Sequence, residues 1–479
     1  MRILRSNIMS MALILVASSV PAAWAQQQTP DQSAPPIPAY HSPFASAADN
    51  SGDQETGTQS LTPDTRSLSG AQDLTVGAPA TTHSYWQPHI AVSSIGDSNP
   101  DYSTGANNWT TWTSVSGGID LHRISGNSDM SLSYLGGGML SNSGTSSNGI
   151  IQSLNFADKF SFRRSTISIF DQVSYLPESA FGFGGLGIGS SLAGGSLSAG
   201  FTPSQNILTP RGQDLTNSSV VEFDEILTPR SSLTFVGGYS LLRYLDNNLL
   251  DSGDATFQGG YNYQISRKDT IAVSYAFSAY RYTGYSQSIN SHTAAFTYAR
   301  RVTGRLAFRG SAGPQLVYSN FPVTGSQGTT VVGSFMQVYW FAQAGLQYQF
   351  RNGGLGVSYI HGVNGGSGVL GGSLADTVTG TASRQLSRAT SGSLNFGYSH
   401  NNGFSVGGST PSSQSFNYFF SGATLSHEMG RTLNLSLSYQ AQYQDSNASF
   451  CVGPTCGTSV IRHLISVGVG WKKQPIPFE

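Results

Sequence analysis

Residues 431–444 read Arg-Thr-Leu-Asn-Leu-Ser-Leu-Ser-Tyr-Gln-Ala-Gln-Tyr-Gln. Leu433, Leu435, Leu437, Tyr439, Ala441 and Tyr443 share one parity; Asn434, Ser436, Ser438, Gln440, Gln442 and Gln444 share the other. Strand side chains alternate between faces, so the segment is apolar on one side and polar on the other. Its length suits a tilted strand crossing a bilayer, which needs about 9–11 residues.

The same alternation recurs on either side of it. Ile271, Val273, Tyr275, Phe277 and Ala279 oppose Ala272, Ser274, Ala276 and Ser278. Leu394, Phe396 and Tyr398 oppose Ser393, Asn395 and Ser399, and His463 to Trp471 alternate with Leu464 to Gly470. The segment Ile150 to Phe160 alternates less cleanly. Tight turns separate these strands in pairs: Ser125–Ser128, Arg163–Ser165, Thr228–Ser231, Ser266–Asp269, Thr303–Arg305, Arg351–Gly353, Ser387–Arg388 and Gly430–Arg431. The last seven recur at about 35–65 residues, mostly near 40. The repeating unit is therefore a hairpin. Short connections alternating with long ones are the habit of a transmembrane barrel.

Seventeen strands can be counted from Trp109, the last ending on the short-turn side at Trp471. Single-chain bacterial barrels normally have an even number. Tyr85 to Ile95 supplies another, so the expected fold is an all-β, transmembrane antiparallel barrel of 18 strands over residues 83–479. Sixteen is the alternative if two weak segments are loops. A soluble all-β sandwich shares the alternation but calls for more buried apolar side chains and less regular loops.

The N-terminus points to export. Arg2 and Arg5 precede a short apolar run, Ile8 to Val20, and Ala23-Trp24-Ala25 is a small-x-small cleavage site, so residues 1–25 read as a signal peptide. The apolar run falls short of the roughly 20 residues that a spanning helix needs. Residues 26–82, rich in Gln, Pro and Ser, lack the apolar periodicity that would order them and read as a disordered tether. Charged residues make up only 10%, against about 25% in ordinary soluble domains, while aromatics reach 11%. The net charge of −1 becomes −3 without Arg2 and Arg5, which gives no basis for nucleic-acid binding.

No catalytic constellation is legible, and no cofactor or metal site is expected. Cys451 and Cys456 flank Gly453-Pro454 and, in an exported chain, read first as a disulfide. A metal would need more Cys or His ligands, and a redox pair is the third reading. Glu222 and Asp224 share a strand face opposite Val221 and Phe223. Paired carboxylates can serve acid/base chemistry, but no nucleophile or His accompanies them, so they read as lumen-lining together with Asn434, Gln440 and Gln442. Lumen carboxylates bias permeation towards cations. Arginines at the short turns read as solvated turn residues, with a basic rim for an anionic partner as the second reading.

The longest connection, Leu176 to Leu215, is the third long loop. In hairpin architecture over residues 84–479 the chain resembles the porin-like outer-membrane barrels of diderm bacteria. In general porins the third outer loop narrows the pore and often carries Pro-Glu-Phe-Gly-Gly. Pro177, Glu178, Phe181 and Gly182 form a similar but interrupted sequence, which the resemblance marks as a candidate constriction. The chain departs from porins in its N-terminal segment and in the overhang Gln474 to Glu479 beyond Trp471. Trimers are the porin habit, with no residue here arguing for or against.

These readings imply a passive outer-membrane channel for small neutral or weakly cationic solutes. Its partners would be membrane lipid, the permeating solutes and the barrel-assembly machinery. A non-channel barrel, serving envelope polysaccharide export or assembly or a surface adhesin role, is the alternative. Exported protein is expected to begin at Gln26 on N-terminal sequencing; an intact Met1 would refute the signal-peptide reading.

Overall fold

The computed structural model describes residues 67–71, 83–102, 109–142, 148–177, 197, 199–203, 206–209, 212–245, 249–283, 287–324, 330–366, 368–404, 414–447 and 458–478. All of them belong to the unit Ala39–Glu479. Alternating sequence becomes strand throughout. The first six strands are β1 (Tyr85–Asp97), β2 (Thr110–Ser125), β3 (Ser128–Ser141), β4 (Gly149–Ser161), β5 (Ser165–Leu176) and β6 (Asp214–Thr228). Next come β7 (Ser231–Tyr244), β8 (Ser252–Gln264), β9 (Asp269–Tyr282), β10 (Ser288–Arg301), β11 (Leu306–Thr324) and β12 (Thr330–Phe350). The last third is β13 (Gly353–Asn364), β14 (Ser373–Gln385), β15 (Thr390–Gly403), β16 (Ser415–Met429), β17 (Leu433–Ser446) and β18 (Ser459–Lys472).

Each strand pairs antiparallel with its neighbours in chain order. The ring closes because β1 pairs with β2 on one edge and with β18 on the other, from His89↔Lys472 to Asp97↔Leu464. Eighteen wall strands therefore form, and the alternative of sixteen falls. The short turns fall where the sequence places them. The C-terminal overhang adds a stitch at the short-turn end. There β19 (Ile476–Pro477) pairs with Trp86 and Tyr85, and the Phe478 amide donates to the Ser84 carbonyl at 3.2 Å.

Closure turns parity into inside and outside. On β17, Leu433, Leu435, Leu437, Tyr439 and Tyr443 are exposed, while Ser438, Gln440, Gln442 and Gln444 are buried. The pattern continues around the wall, with Val273, Tyr275, Phe296, Leu394, Ile461, Val467 and Val469 outward. A continuous apolar exterior of this extent is what a bilayer, rather than water, accommodates. Among the described residues no helix is long and apolar enough to cross a membrane; this wall is built from strands.

Two local features depart from the simple alternation. The poor alternation of β4 has a cause: Ile150 points outward and exposed, whereas Ile151 and Ala157 point inward and are buried in apolar clusters. Within the span 26–82, the residues from Leu68 to Ala71 are buried against the inner wall. Small polar residues are cheap to order when the wall supplies hydrogen-bond partners, which composition does not reveal.

Substituting Leu437→Arg, on the outward face, is expected to cost about 2–4 kcal/mol of folding free energy in lipid vesicles. Ser438→Arg, on the inward face, should cost clearly less. Urea titrations of the two would contradict the assigned facing if their costs were equal.

Candidate functional site

The interior is the candidate site, and its wall is set by the inward parity just described. Glu222 and Asp224 lie on the inward face of β6, Asn434, Gln440 and Gln442 on that of β17. Neither carboxylate is bare. The Ala71 amide donates to Glu222 Oε2 at 2.5 Å, and Asp224 Oδ1 accepts from Thr234 Oγ1 at 2.6 Å and from Ser67 Oγ. Gln442 accepts from Arg462 Nη1 at 3.3 Å, and Gln440 is fully buried.

The β5–β6 connection enters this interior, although not through the residues that the porin likeness marks. Pro177 stays at the rim of the wall, its carbonyl accepting from the Gly212 amide at 3.2 Å. Glu178, Phe181 and Gly182 lie outside the described residues. The inserted part is further along. Leu197 and Phe201 are buried with Ala157, Phe170, Val220 and Val236 of β4 to β7. Ile207 and Leu208 are buried with Phe416, Tyr418 and Phe420 of β16 and Val460 of β18. Gln444 grips the Leu208 peptide from both sides, accepting from its amide at 2.7 Å and donating to its carbonyl at 3.1 Å.

These two anchor points lie on opposite walls. In a ring of eighteen, β7 and β16 are half a circuit apart. The six residue steps from Phe201 to Ile207 can reach about 20 Å when extended. The loop thus crosses the bore, narrowing it.

A second connection, which sequence reasoning missed, joins it there. The β13–β14 loop folds inward: Tyr282 Oη donates to the Gly365 carbonyl at 2.8 Å, and the Leu250 amide donates to that of Gly368 at 2.7 Å. Leu370 completes the cluster around Ile207 and Leu208. Gly368 has φ of +80°, and a Cβ there would meet the Tyr244 ring at 2.3 Å, so both backbone and space demand glycine. The glycine-rich run from Gly362 to Gly372 is the signal that could have flagged this loop.

Arg462 was also missed. Fully buried at the long-loop end of the β18–β1 seam, it donates to Asp97 Oδ2 from Nη2 at 2.6 Å and from Nε at 2.9 Å. Its Nη1 donates to Tyr102 Oη at 3.0 Å, and its guanidinium lies 5.1 Å from the Tyr102 ring centre. Cys451 and Cys456 lie outside the described residues. Among the described residues no group of three or more His, Cys, Asp or Glu is placed to hold a metal ion.

No protein-family profile matches the chain, and no curated protein sequence matches it. Solved structures with a similar fold include OccAB3 of Acinetobacter baumannii, at 10% identity and a TM-score of 0.39, covering 81% of this chain and 99% of that one. Pseudomonas aeruginosa OpdK with vanillate gives 10% and 0.40 over 81% and 99%. Its OccK2 (OpdF) in complex with glucuronate gives 9% and 0.40 over 81% and 98%. At this degree of likeness nothing about solutes passes from those proteins to the present chain.

Asp97→Asn would leave Arg462 buried beside a neutral amide, and removing one partner of a buried pair costs about 3–5 kcal/mol. Urea unfolding should show a loss of that order, partly recovered in Asp97→Asn/Arg462→Gln. A loss below about 1 kcal/mol, the range of an exposed pair, would deny the seam contact its importance.

Proposed function

We propose that this protein is an exported outer-membrane barrel acting as a passive channel for small, neutral or weakly cationic solutes. One observation carries the reading: a closed ring of eighteen strands with an apolar exterior and a polar interior. A barrel near this size can enclose an aqueous path. Such a wall fits a membrane whose solutes pass through the middle.

The interior chemistry favours passage over catalysis. Inward Ser and Asn side chains that keep some exposure, such as Ser393, Asn395, Asn434 and Ser436, offer weak, exchangeable hydrogen bonds. Binding of that kind lets a solute enter and leave. Inward carboxylates at Glu222 and Asp224 add a modest attraction for cations. The crossing loop, held by Phe201 on one side and Leu208 on the other, sets the bore at the narrow point and so limits solute size.

Purified protein in planar bilayers is expected to give discrete conducting steps, with a reversal potential showing mild cation preference; an absence of steps would end the channel reading. Gln444→Ala removes both side-chain partners of the Leu208 peptide, and each unpaired buried group costs about 1–3 kcal/mol. The loosened loop should give larger or flickering steps. Unchanged steps would mean that the loop does not set the bore.

A further inference from the structure

We propose that the inner faces of β6, β8 and β11 form a binding site for a short, turn-forming peptide segment, filled at rest by residues 67–71 of the chain itself. The proposal rests on the channel reading, since its consequence is a bore narrowed near the short-turn end by a displaceable strap.

The recognition is main-chain recognition. Within five residues, four backbone groups meet side chains of the wall. The Ser69 amide donates to Asn262 Oδ1 at 3.0 Å, and Gln258 Nε2 donates to the Ser69 carbonyl at 2.7 Å. Arg309 Nη2 donates to the Leu68 carbonyl at 2.7 Å, and the Ala71 amide donates to Glu222 Oε2 at 2.5 Å. The two serine hydroxyls add bonds to Asp224 and, at 3.0 Å, to Asn262. A Ser67–Gly70 turn, closed by the Gly70 amide on the Ser67 carbonyl at 3.1 Å, shapes the strap. Amides and carbonyls at peptide spacing are met by acceptors and donors in the matching order, which is the chemistry of a peptide rather than of a sugar or a lone ion.

The site is built rather than improvised. Asn262 is itself held by donating to Thr234 Oγ1 at 3.0 Å and Ser232 Oγ at 3.3 Å, and Thr234 in turn donates to Asp224. These bonds orient the acceptors before any peptide arrives. Gly260, inward on β8 between Gln258 and Asn262, leaves the notch that Ser69 fills; a Cβ there would sit 2.3 Å from the Ser69 Cβ.

Position and composition make the strap removable. Asp224, Asn262 and Arg309 lie close to the short turns that end β6 and β8 and begin β11. The first wall strand starts at the same end, with Tyr85 opposite His122. The strap can therefore enter and leave there without threading the bore. Its apolar side chains are only Leu68 and Ala71, so polar bonds that water or another peptide can replace supply most of its hold. Ala71 also belongs to the cluster that seats Leu197 and Phe201, which couples the strap to the crossing loop.

Single-channel recording tests this with the full chain, a variant lacking residues 67–71, and Gly260→Ala, whose added methyl evicts Ser69. Both variants should give larger steps than the full chain. Synthetic Ser-Leu-Ser-Gly-Ala added on the short-turn side should return the deletion variant to the full-chain step size. The same peptide N-methylated at the positions matching Ser69 and Ala71 should not. Equal steps from the full chain and both variants, or equal block by the methylated peptide, would overturn the strap alone. No steps from any of the three would remove the channel reading and the strap with it. A measurement independent of conductance uses Ser69→Cys with Cys451→Ser/Cys456→Ser, which leaves every wall residue of the site in place. The new thiol should react slowly with a maleimide while the strap is seated, and the synthetic peptide should speed that reaction; labelling unaffected by peptide would count against a shared site.

Discussion

Everything in this molecule depends on the pairing of β1 with β18. In hydrocarbon there is no water to take up an unpaired amide or carbonyl, so a sheet is tolerable only when it has no edge. The nine opposed residue pairs from His89↔Lys472 to Asp97↔Leu464 remove that edge. Both ends of the seam carry contacts beyond the strand ladder. At the long-loop end stands the buried Arg462–Asp97 pair, and at the short-turn end the Ile476–Pro477 stitch. The seam joins residues more than 360 apart in sequence, so its loop-closure entropy is the largest in the wall. Extra bonds therefore stand where closure is costliest.

Once the ring is closed, its size dictates the rest. Eighteen strands leave more interior than wall side chains alone can fill. The interior is furnished instead by chain segments: the 197–209 stretch from one connection, the 365–372 stretch from another, and Ser67–Ala71 from ahead of the first strand. Main-chain groups of each are bonded to the wall, by Gln444, Tyr282 and Asn262 among others. Neutral amides and hydroxyls on the wall can grip a backbone without the desolvation cost that a buried charge would carry.

The wall was legible because its signal is local and repeated. Residues 431–444 declare their facing unaided, and the eight short turns fix where one hairpin ends and the next begins. The furnishing of the interior was not legible, for a corresponding reason. Gln444 gripping Leu208 and Gln440 a turn of the pleat away are the same residue type on the same face, and only the three-dimensional path of a distant loop separates their roles. Ser67–Ala71 carries no periodicity, since its order comes from partners between 151 and 241 residues away. Arg462 on an inward parity looks like an ordinary lumen charge until Asp97 is brought across the seam. Glu222 and Asp224 were legible as inward carboxylates, whereas their engagement by the strap was not.

The imperfections in the alternation turn out to carry the missing information. A strand that only lines water should be polar on its inward face; one that receives a docked segment should break that rule with an apolar residue. Ile151 and Ala157 break it on β4, Phe170 on β5, Val220 on β6 and Val236 on β7. Phe416, Tyr418 and Phe420 break it on β16 in a single run. Phe201 comes to rest on Ala157, Phe170, Val220 and Val236, and Leu208 on the β16 run. Burying apolar surface inside the bore is favourable only if another apolar surface covers it. Inward apolar residues therefore either cover one another, as Ile151 does with Trp112 and Met139, or receive a docked segment, and the second kind stands on opposing walls. By this reasoning Ala157, inward within the ragged stretch of Ile150 to Phe160, is the imprint that the loop leaves on β4.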